Sequence, residues 1–309
     1  MVSVLLAAWN GETYLPAQLA SLRGQSCTDF RVLWRDDGSS DGTRQLLEDI
    51  SAADGRFRQA AGPEGNLGAI GSFLTLMGQD DAPYTALCDQ DDVWQPGKLA
   101  RCVQALREAE AAYGADTPLL VHHDCRVIGA DGAVRHRSFF RHQGWDGGAN
   151  TLPRLLTQNN VTGCTCVMNA ALRRLVTQHA QAERLYMHDW FIALTAAAFG
   201  RIVFVDETLL DYRQHGTNVM GASRRGLLGR AIAALKSPTK ARERIALTYR
   251  HARMFREAFG EALPAEAADV IDRYLAIQGL PKLQRIAAIG RGGYWMQSAI
   301  ARMGQRVFG

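Results

Sequence analysis

Apolar runs of strand length alternate with segments of helical periodicity through the first half of the chain. Residues 2–8, 30–34 and 84–88 are apolar runs, whereas residues 14–22 and 43–50 place apolar side chains at helical spacing. Each of the first two runs leads through a polar loop into a helical segment. Repeated strand, loop and helix units predict an α/β fold, in which a mostly parallel central sheet is flanked by helices.

The pattern changes after residue 222, where helical segments separated by Pro and Gly replace the strands. Pro238, Pro264 and the glycines between residues 290 and 293 divide this part into several helices. We therefore predict an α/β domain over residues 1–222 and an α-helical C-terminal region over residues 223–309.

The distribution of charge supports the same division. A length of 309 residues, 47% of them hydrophobic and 21% charged, is that of a globular protein. The net charge of +4 hides an uneven distribution, because residues 223–309 contain 16 Lys and Arg against 6 Asp and Glu. Residues 1–222 consequently carry a net charge of about −6. The basic C-terminal region is expected to do a different job from the acidic domain.

The pattern does not suggest export or insertion into a membrane. The first apolar run begins without a basic leader, and no uninterrupted apolar stretch reaches spanning length. The six cysteines show no paired metal spacing and lie in apolar segments, as reduced packing residues do. These features predict a cytoplasmic protein.

Three carboxylates, Asp89, Asp91 and Asp92, lie within four residues directly after the third apolar run. Anions this close repel each other unless a cation lies between them. Because oxygen ligands favour a hard ion, the cluster predicts a Mg²⁺ or Mn²⁺ site shared with a phosphate group. Strand alternation would place Asp89 and Asp91 on one side, with Asp92 turned away until the loop bends. A solvated acidic turn is the alternative, but the neighbouring Trp94 and Pro96 suggest a pocket wall.

Polar residues also follow the other predicted strands. Trp9 and Asn10 end the first run, and Asp37 follows the second. Ligands of parallel sheets bind beyond the carboxyl ends of the strands. A carboxylate there can accept the imide N–H of a pyrimidine base, which makes Asp37 a candidate nucleotide ligand. The glycine-rich loop 65–68 opens another helix, and it either approaches a phosphate or forms an ordinary turn.

These motifs together resemble the family-two inverting glycosyltransferases, which have the GT-A fold. The likeness covers roughly residues 1 to 220, and within the family it is most similar to rhamnosyltransferases that build bacterial surface polysaccharides. The matching segments, in chain order, are residues 3–11, 36–43, 89–94, 159–165, 187–190 and 212–218.

The resemblance implies a site made of three sets of residues. The donor nucleotide would be bound by Ala7, Trp9, Asn10, Asp37, Asp91 and Arg213. The acceptor or sugar side would be formed by Asn160, Thr162, Gly163, His188 and Trp190. The metal would be held by Asp89, Asp91, Asp92 and His215. His215 is equally well explained as a surface-loop residue, and His188 stands where many relatives have an acidic residue, which leaves the acceptor-side contacts open.

The resemblance also implies a general base. Asp189 stands near the start of a predicted helix over residues 191–199, where the residues alone fit a helix cap equally well. The resemblance favours the base, which takes the proton of the acceptor hydroxyl. It further implies dTDP-L-rhamnose as donor, Mg²⁺ or Mn²⁺ as cofactor, and a growing, lipid-linked surface polysaccharide as acceptor. No nucleic-acid partner is expected.

Two other function classes stay open. A sugar nucleotidyltransferase would also use a parallel sheet, Mg²⁺ and carboxylates, but it needs a basic, glycine-rich loop after the first strand, which residues 7–11 lack. A non-catalytic saccharide-binding protein of the same fold would need neither metal ligands nor a base, whereas this chain has candidates for both.

The last predicted helix spans residues 294–308. Its apolar residues recur at helical spacing, opposite polar ones, and they are Trp295, Met296, Ala299, Ile300, Met303 and Val307. This stripe either packs on the α/β domain or, given the basic surplus, contacts the anionic inner face of the plasma membrane as a peripheral attachment.

Overall fold

The computed structural model describes residues 1–215 and 238–308. Its strands are β1 (Val2–Ala8), β2 (Phe30–Asp36), β3 (Phe57–Gln59), β4 (Tyr84–Asp89), β5 (Val93–Trp94), β6 (Leu119–Gly129), β7 (Val134–His136), β8 (Val167–Asn169) and β9 (Arg201–Gln214). Its α-helices are α1 (Leu15–Arg23), α2 (Thr43–Ala53), α3 (Gly68–Gln79), α4 (Lys98–Tyr113), α5 (Phe139–Gln143), α6 (Leu152–Thr157), α7 (Ala170–His179), α8 (His188–Phe199), α9 (Pro238–Phe259), α10 (Ala265–Ala276), α11 (Lys282–Gly292) and α12 (Ala299–Phe308). The α/β prediction is confirmed.

The strands form one mixed sheet in the order β3-β2-β1-β4-β8-β6-β9-β5, with β7 paired to β6. Strands β1 to β4 are parallel, as the repeated strand and helix units predict. Strand β8 is inserted antiparallel between β4 and β6, and β9 runs parallel to β6. The sheet therefore has a parallel half, which the apolar pattern predicts, and a mixed half, which it does not.

The register of the parallel half brings the ends of three strands to one edge. Ala8 of β1 lies beside Asp36 of β2, and Ala7 lies beside Asp89 of β4. The loops that follow these strands contain most of the polar residues selected from the sequence. They meet where parallel sheets bind their ligands.

Strand β9 has 14 residues, whereas the apolar pattern predicts a strand only over residues 201–205. Its second half pairs with β6 across two register shifts. Asp211 in this half accepts a hydrogen bond of 2.7 Å from Arg126 Nη2. Where the pairing is irregular, polar residues do not follow the alternation of a regular strand. The prediction from the sequence therefore ends β9 too early. The extension brings Arg213 and His215 next to the acidic turn after β4.

The described C-terminal helices share a core with the α/β domain. Phe255 of α9 and Ile271 of α10 lie in one buried apolar cluster with Leu155 of α6 and Phe191 of α8. The predicted boundary after residue 222 lies outside the described residues, so the division into two parts stays a prediction. No described helix combines the length and the apolarity needed to cross a bilayer.

Helix α12 begins later than the sequence predicts, because the residues before it form a hydrogen-bonded turn. Gln305 Nε2 donates to the Tyr294 carbonyl at 2.7 Å, and the Met296 N–H donates to Gln305 Oε1 at 3.1 Å. Ser298 occupies the position before α12 and is buried. Trp295 and Met296 therefore precede the helix and do not lie on its apolar stripe.

Candidate active site

The acidic turn after β4 reverses the chain between Asp89 and Val93, where β5 pairs antiparallel with β9. Ligand atoms of Asp89, Asp92 and Cys164 lie within 4.8 Å of one another. Strand alternation ends at Asp89, and the turn that follows brings Asp92 next to Asp89. Cys164 is buried in the core, as expected of a packing residue, and a distant segment brings its sulfur to the carboxylates.

Asp91 points to a different partner, at the end of β9. Its Oδ2 lies 2.7 Å from Nε2 of His215, whose ring packs against Tyr14 with centroids 4.9 Å apart. Arg213 donates its Nε–H to the Asp91 carbonyl at 2.8 Å and its main-chain N–H to Asp92 Oδ1 at 3.0 Å. The end of β9 thus fixes the acidic turn, and a diphosphate contact by Arg213 stays a prediction.

Burial and mutual repulsion make this cluster hard to ionise. Burial, together with the charges of Asp91 and Asp189, raises the pKa of Asp89 to about 7. Burial and the charges of Asp91 and Asp89 raise the pKa of Asp92 well above its ordinary range. No N–H or O–H group of the described residues donates to Asp92 Oδ2, which is buried. A divalent cation fits this arrangement, and Asp89 and Asp92 would hold it with Asp91 and His215 beside them.

Lys98 is a buried cation next to the acidic turn, and sequence reasoning missed it. Its Nζ donates to the Cys164 carbonyl at 2.5 Å and lies 3.5 Å from the centroid of the Trp94 ring. Burial lowers the pKa of Lys98, while its own charge opposes the rise in the pKa of Asp89. A sequence signal existed, because Lys98 begins α4 and a cation is unfavourable at a helix N-terminus.

Asp189 lies in the first turn of α8 with only 6% of its surface exposed. Met187 occupies the cap position of the helix, so Asp189 is not the cap that the sequence left open. Burial raises the pKa of Asp189 to about 7, although the N–H groups of Trp190 and Gly163 favour its charged form. The charge of Asp189 also raises the pKa of Asp89, so the two carboxylates lie close enough to interact.

The loop after β1 is connected to the acidic turn through one glutamine. The Gln90 side chain accepts the N–H of Trp9 and donates to its carbonyl at 2.7 Å. Asn10 has a left-handed φ of 48°, and its Oδ1 accepts the N–H of Ser40 at 2.8 Å. Ala7, Trp9 and Asn10 therefore lie at the same edge as the carboxylates, and their contacts with a nucleotide stay predictions.

Asp37 binds the glycine-rich loop of its own chain. Its Oδ1 accepts the N–H of Leu67 at 2.7 Å and its Oδ2 accepts the N–H of Gly68 at 2.8 Å. Arg35 Nη2 lies 3.3 Å from Oδ1. Two candidates that the sequence treats separately, the carboxylate and the glycine-rich loop, thus form one unit. A base contact by Asp37 stays a prediction.

A family model described as glycosyl transferase family 2 matches residues 3–178, which is more than half of the chain. The chain belongs to glycosyl transferase family 2. An uncharacterized glycosyltransferase of Haemophilus influenzae is 26% identical over 221 residues, which cover 70% of this chain and 66% of that protein. The match thus spans just under two thirds of the length of this relative. The dTDP-rhamnosyl transferase RfbG of Shigella flexneri is 24% identical over 232 residues, which cover 71% of this chain and 74% of that one.

A solved structure has the same fold. The crystal structure of S. aureus TarS 1–349 in complex with UDP-GlcNAc matches with a TM-score of 0.58 and 16% identity, covering 99% of this chain and 90% of that one. The GT-A fold expected for family 2 is therefore confirmed.

The family 2 segment predicted for the acceptor side lies against the start of α8. A Cβ atom on Gly163 would lie 3.0 Å from His188 Nε2, so a glycine permits this close approach. His188 packs against Phe73 with ring centroids 4.6 Å apart, and burial lowers its pKa to about 4. A neutral imidazole therefore stands directly before Asp189.

Asn160 is buried and fixes neighbouring loops. Its Nδ2 donates to the Asp146 carbonyl at 3.2 Å and to Asn150 Oδ1 at 3.1 Å, whereas its Oδ1 has no hydrogen-bond partner among the described residues. The Thr162 carbonyl accepts the N–H of Thr165 at 2.9 Å. The two side chains lie in the same family 2 segment as Gly163, and their contact with an acceptor stays a prediction.

Trp190 is buried in the core beside Asp189. Its Nε1–H donates to the Leu155 carbonyl at 2.7 Å, and its ring stacks on His251 of α9 with centroids 4.3 Å apart. Burial lowers the pKa of His251 to about 4, and neither ring nitrogen has a hydrogen-bond partner among the described residues. Trp190 thus connects the helix that contains Asp189 to the C-terminal helices.

Proposed function

We propose that this protein transfers a sugar from a nucleoside diphosphate sugar to an acceptor hydroxyl, with inversion of the anomeric configuration. The observation that carries the proposal is the buried Asp189 beside the Asp89 cluster, at the edge where the parallel strands end. With a pKa raised to about 7 by burial, Asp189 exchanges protons near neutral pH, which suits a general base.

In this reaction Asp189 accepts the proton of the acceptor hydroxyl. The oxygen of that hydroxyl attacks the anomeric carbon of the donor sugar at the same time. The bond from that carbon to the diphosphate oxygen breaks, and its electron pair leaves with the diphosphate. A single displacement of this kind inverts the anomeric centre. Asp89 and Asp92 would hold the cation, with Asp91 and His215 beside them. When bound, Mg²⁺ or Mn²⁺ supplies charge neutralisation for the leaving diphosphate.

The finer assignment is dTDP-L-rhamnose as donor and a growing, lipid-linked surface polysaccharide as acceptor. The name of the Shigella flexneri relative supports the donor sugar. The nucleotide sugar in the TarS crystal structure supports the donor class. A lipid-linked acceptor would place the protein in the cytoplasm, peripherally on the inner face of the plasma membrane.

A panel of nucleotide sugars that includes dTDP-L-rhamnose and UDP-GlcNAc tests the proposal. We expect one donor to release its nucleoside diphosphate in the presence of acceptor and Mg²⁺ or Mn²⁺, and EDTA to stop the release. Release of pyrophosphate from a nucleoside triphosphate and a sugar phosphate would favour a nucleotidyltransferase. Saturable saccharide binding without turnover of any donor would favour a non-catalytic binding protein, and NMR of a product with retained configuration would contradict the single displacement.

A further inference from the structure

Helix α12 buries a polar residue, Gln305, and exposes two large apolar residues, Met303 and Val307. The inward residue Gln305 is 4% exposed, and both ends of its amide bond the turn before the helix. On the outward side, Met303 is 45% exposed and Val307 is 46% exposed. The two residues are four positions apart, so they lie on one face of the helix. Met303 and Val307 of the predicted stripe therefore face away from the domain, whereas Ile300 of that stripe is partly buried.

The C-terminal sequence that contains this helix is basic. Asp272 is the last acidic residue in the sequence, and residues 273–309 contain six Lys and Arg and no Asp or Glu. Arg302 and Arg306 are exposed and lie one position before Met303 and Val307. Arg302 donates to the Met296 carbonyl at 3.0 Å and to the Gln297 carbonyl at 2.8 Å, which holds its guanidinium at the turn before the helix. Exposed apolar residues with arginines beside them on one side of a helix are the pattern of a helix that lies in the interface of an anionic bilayer.

The turn before α12 is bonded to the predicted acceptor side. The Gln297 main-chain N–H donates to Gln158 Oε1 at 2.9 Å, and Gln297 Oε1 accepts the N–H of Asp146 at 3.0 Å. The carbonyl of Asp146 accepts the hydrogen bond from Asn160. Asp146 thus connects the turn before α12 to the family 2 segment predicted for the acceptor side.

We infer that the outward face of α12 binds the surface of an anionic lipid membrane. Met303 and Val307 would enter the interface, and Arg302 and Arg306 would meet the lipid phosphates. In combination with the proposed function, on which this part rests, the bound helix would hold the segment around Asn160 next to a lipid-linked acceptor. A second copy of the chain is a weaker occupant, because two such faces would bring only cations together.

Flotation with vesicles tests the inference. The full-length protein is mixed with vesicles of phosphatidylcholine containing about one quarter phosphatidylglycerol, or of phosphatidylcholine alone, and each series is repeated at about 50 mM and about 500 mM NaCl. We expect binding to the anionic vesicles at low salt, a clear loss at high salt, and little binding to neutral vesicles. Equal binding to both lipid compositions would overturn the inference.

Three variants locate the binding surface. The double variant Met303→Glu/Val307→Glu should bind anionic vesicles at least roughly tenfold more weakly, since it places two anions in the apolar face. Arg306→Gln removes one charge and should weaken binding about fivefold. Val134→Glu is the matched control, because Val134 is 50% exposed on β7 and outside the C-terminal helices, and it should bind like the wild type. Unchanged binding by the double variant and by Arg306→Gln would reject α12 as the surface.

Two further readouts separate the other outcomes. Light scattering that finds a dimer in the wild type and a monomer in the double variant, with no vesicle binding, would overturn the inference in favour of a second copy. Donor turnover with a water-soluble acceptor should be the same in the wild type and the double variant. If no donor is turned over, the proposed function fails, and the vesicle experiment still decides whether α12 binds lipid.

Discussion

The acidic turn and helix α12 depart from ordinary burial in opposite ways. The turn buries like charges, so that Asp92 lies fully inside the protein beside Asp89. Helix α12 exposes Met303 and Val307 and buries Gln305. Buried anions are costly without a cation, and apolar side chains are better placed in an apolar phase than in water. Under the two proposals above, something outside the chain completes both regions, an ion and a phosphate in one case and a lipid surface in the other.

The largest effect is expected at Asp189, beside the acidic turn, where a substitution should slow turnover without weakening donor binding. In Asp189→Asn the amide keeps the shape of the side chain and removes the base. We expect turnover to fall by roughly 10²–10⁴-fold while donor affinity stays near that of the wild type. Steady-state kinetics with direct measurement of donor binding would check this. Turnover close to that of the wild type would leave Asp189 with a structural role only.

A substitution at Asp91 tests whether activity depends on a divalent cation. Asp91→Ala removes a carboxylate of the cluster and the contact with His215. We expect activity to fall roughly 100-fold, because the diphosphate charge is less well balanced as it leaves. The metal titration of activity should also shift to higher concentration in this variant. Full activity of the wild-type protein in EDTA would contradict the requirement for a metal.

The charge balance of the turn is tested at Lys98. Lys98→Met keeps much of the volume and removes the cation next to Asp92 and the hydrogen bond to the Cys164 carbonyl. We expect the free energy of unfolding to fall by roughly 1–3 kcal/mol, because the buried Cys164 carbonyl loses its hydrogen-bond donor. Arg101→Met on the same helix is the matched control, because its ion pair with Glu207 is largely exposed and should contribute less than about 1 kcal/mol. Equal losses in urea denaturation would argue against a special role for Lys98.

The repulsion within the turn can be relieved at Asp92. Because the pKa of Asp92 is raised in the folded protein, its ionisation lowers stability as pH rises. In EDTA at pH 8, Asp92→Asn should therefore be more stable than the wild type, because the amide cannot ionise. Added Mg²⁺ or Mn²⁺ should raise the melting temperature of the wild type and leave that of the variant nearly unchanged. A variant less stable than the wild type in EDTA would show that repulsion does not dominate the turn.

The smallest effect is expected at the contact between α8, which contains Asp189, and the C-terminal helix α9. Burial lowers the pKa of His251 to about 4, below its ordinary value of 6.5, so the unfolded chain binds a proton first as pH falls. The neutral His251 ring makes its full contribution to the free energy of unfolding above pH 6.5. This contribution falls at lower pH, by about 2 kcal/mol at pH 5. His251→Phe keeps the stacking on Trp190 and should lose correspondingly less stability between pH 7 and pH 5. Equal acid sensitivity of the two proteins in urea denaturation would contradict this role.

Local patterns in the sequence predict the parts of the fold that depend on neighbouring residues. The strands before Trp9, Asp37 and Asp89 follow from apolar runs that end in polar loops, and the shared edge follows from the parallel connections. Lys98 and Cys164 could not be paired in this way, because 66 positions separate the two residues that form the hydrogen bond. The orientation of Asp92 depends on a turn, where the alternation of a strand gives no guidance.

The polarity of α12 shows a second limit of sequence reasoning. Helical spacing identifies Met303 and Val307 as one stripe, but it does not say which side of the helix meets the protein. That choice is made by Gln305, whose amide satisfies two main-chain groups of the turn at Tyr294 and Met296. The same applies to Asp37, whose partners at Leu67 and Gly68 come from a loop 30 residues away.

Gln305 of α12 and Gln297 of the turn before it have a consequence for how this helix can change during evolution. Hydrogen bonds are directional, so Gln297 and Gln305 set the angle at which the helix is mounted, and few other side chains can replace their bonds. The outward face has no such requirement, because any apolar residue of similar size serves at Met303 or Val307. If α12 binds a membrane as inferred above, selection should therefore preserve Gln297 and Gln305 and let the outward residues change among apolar side chains.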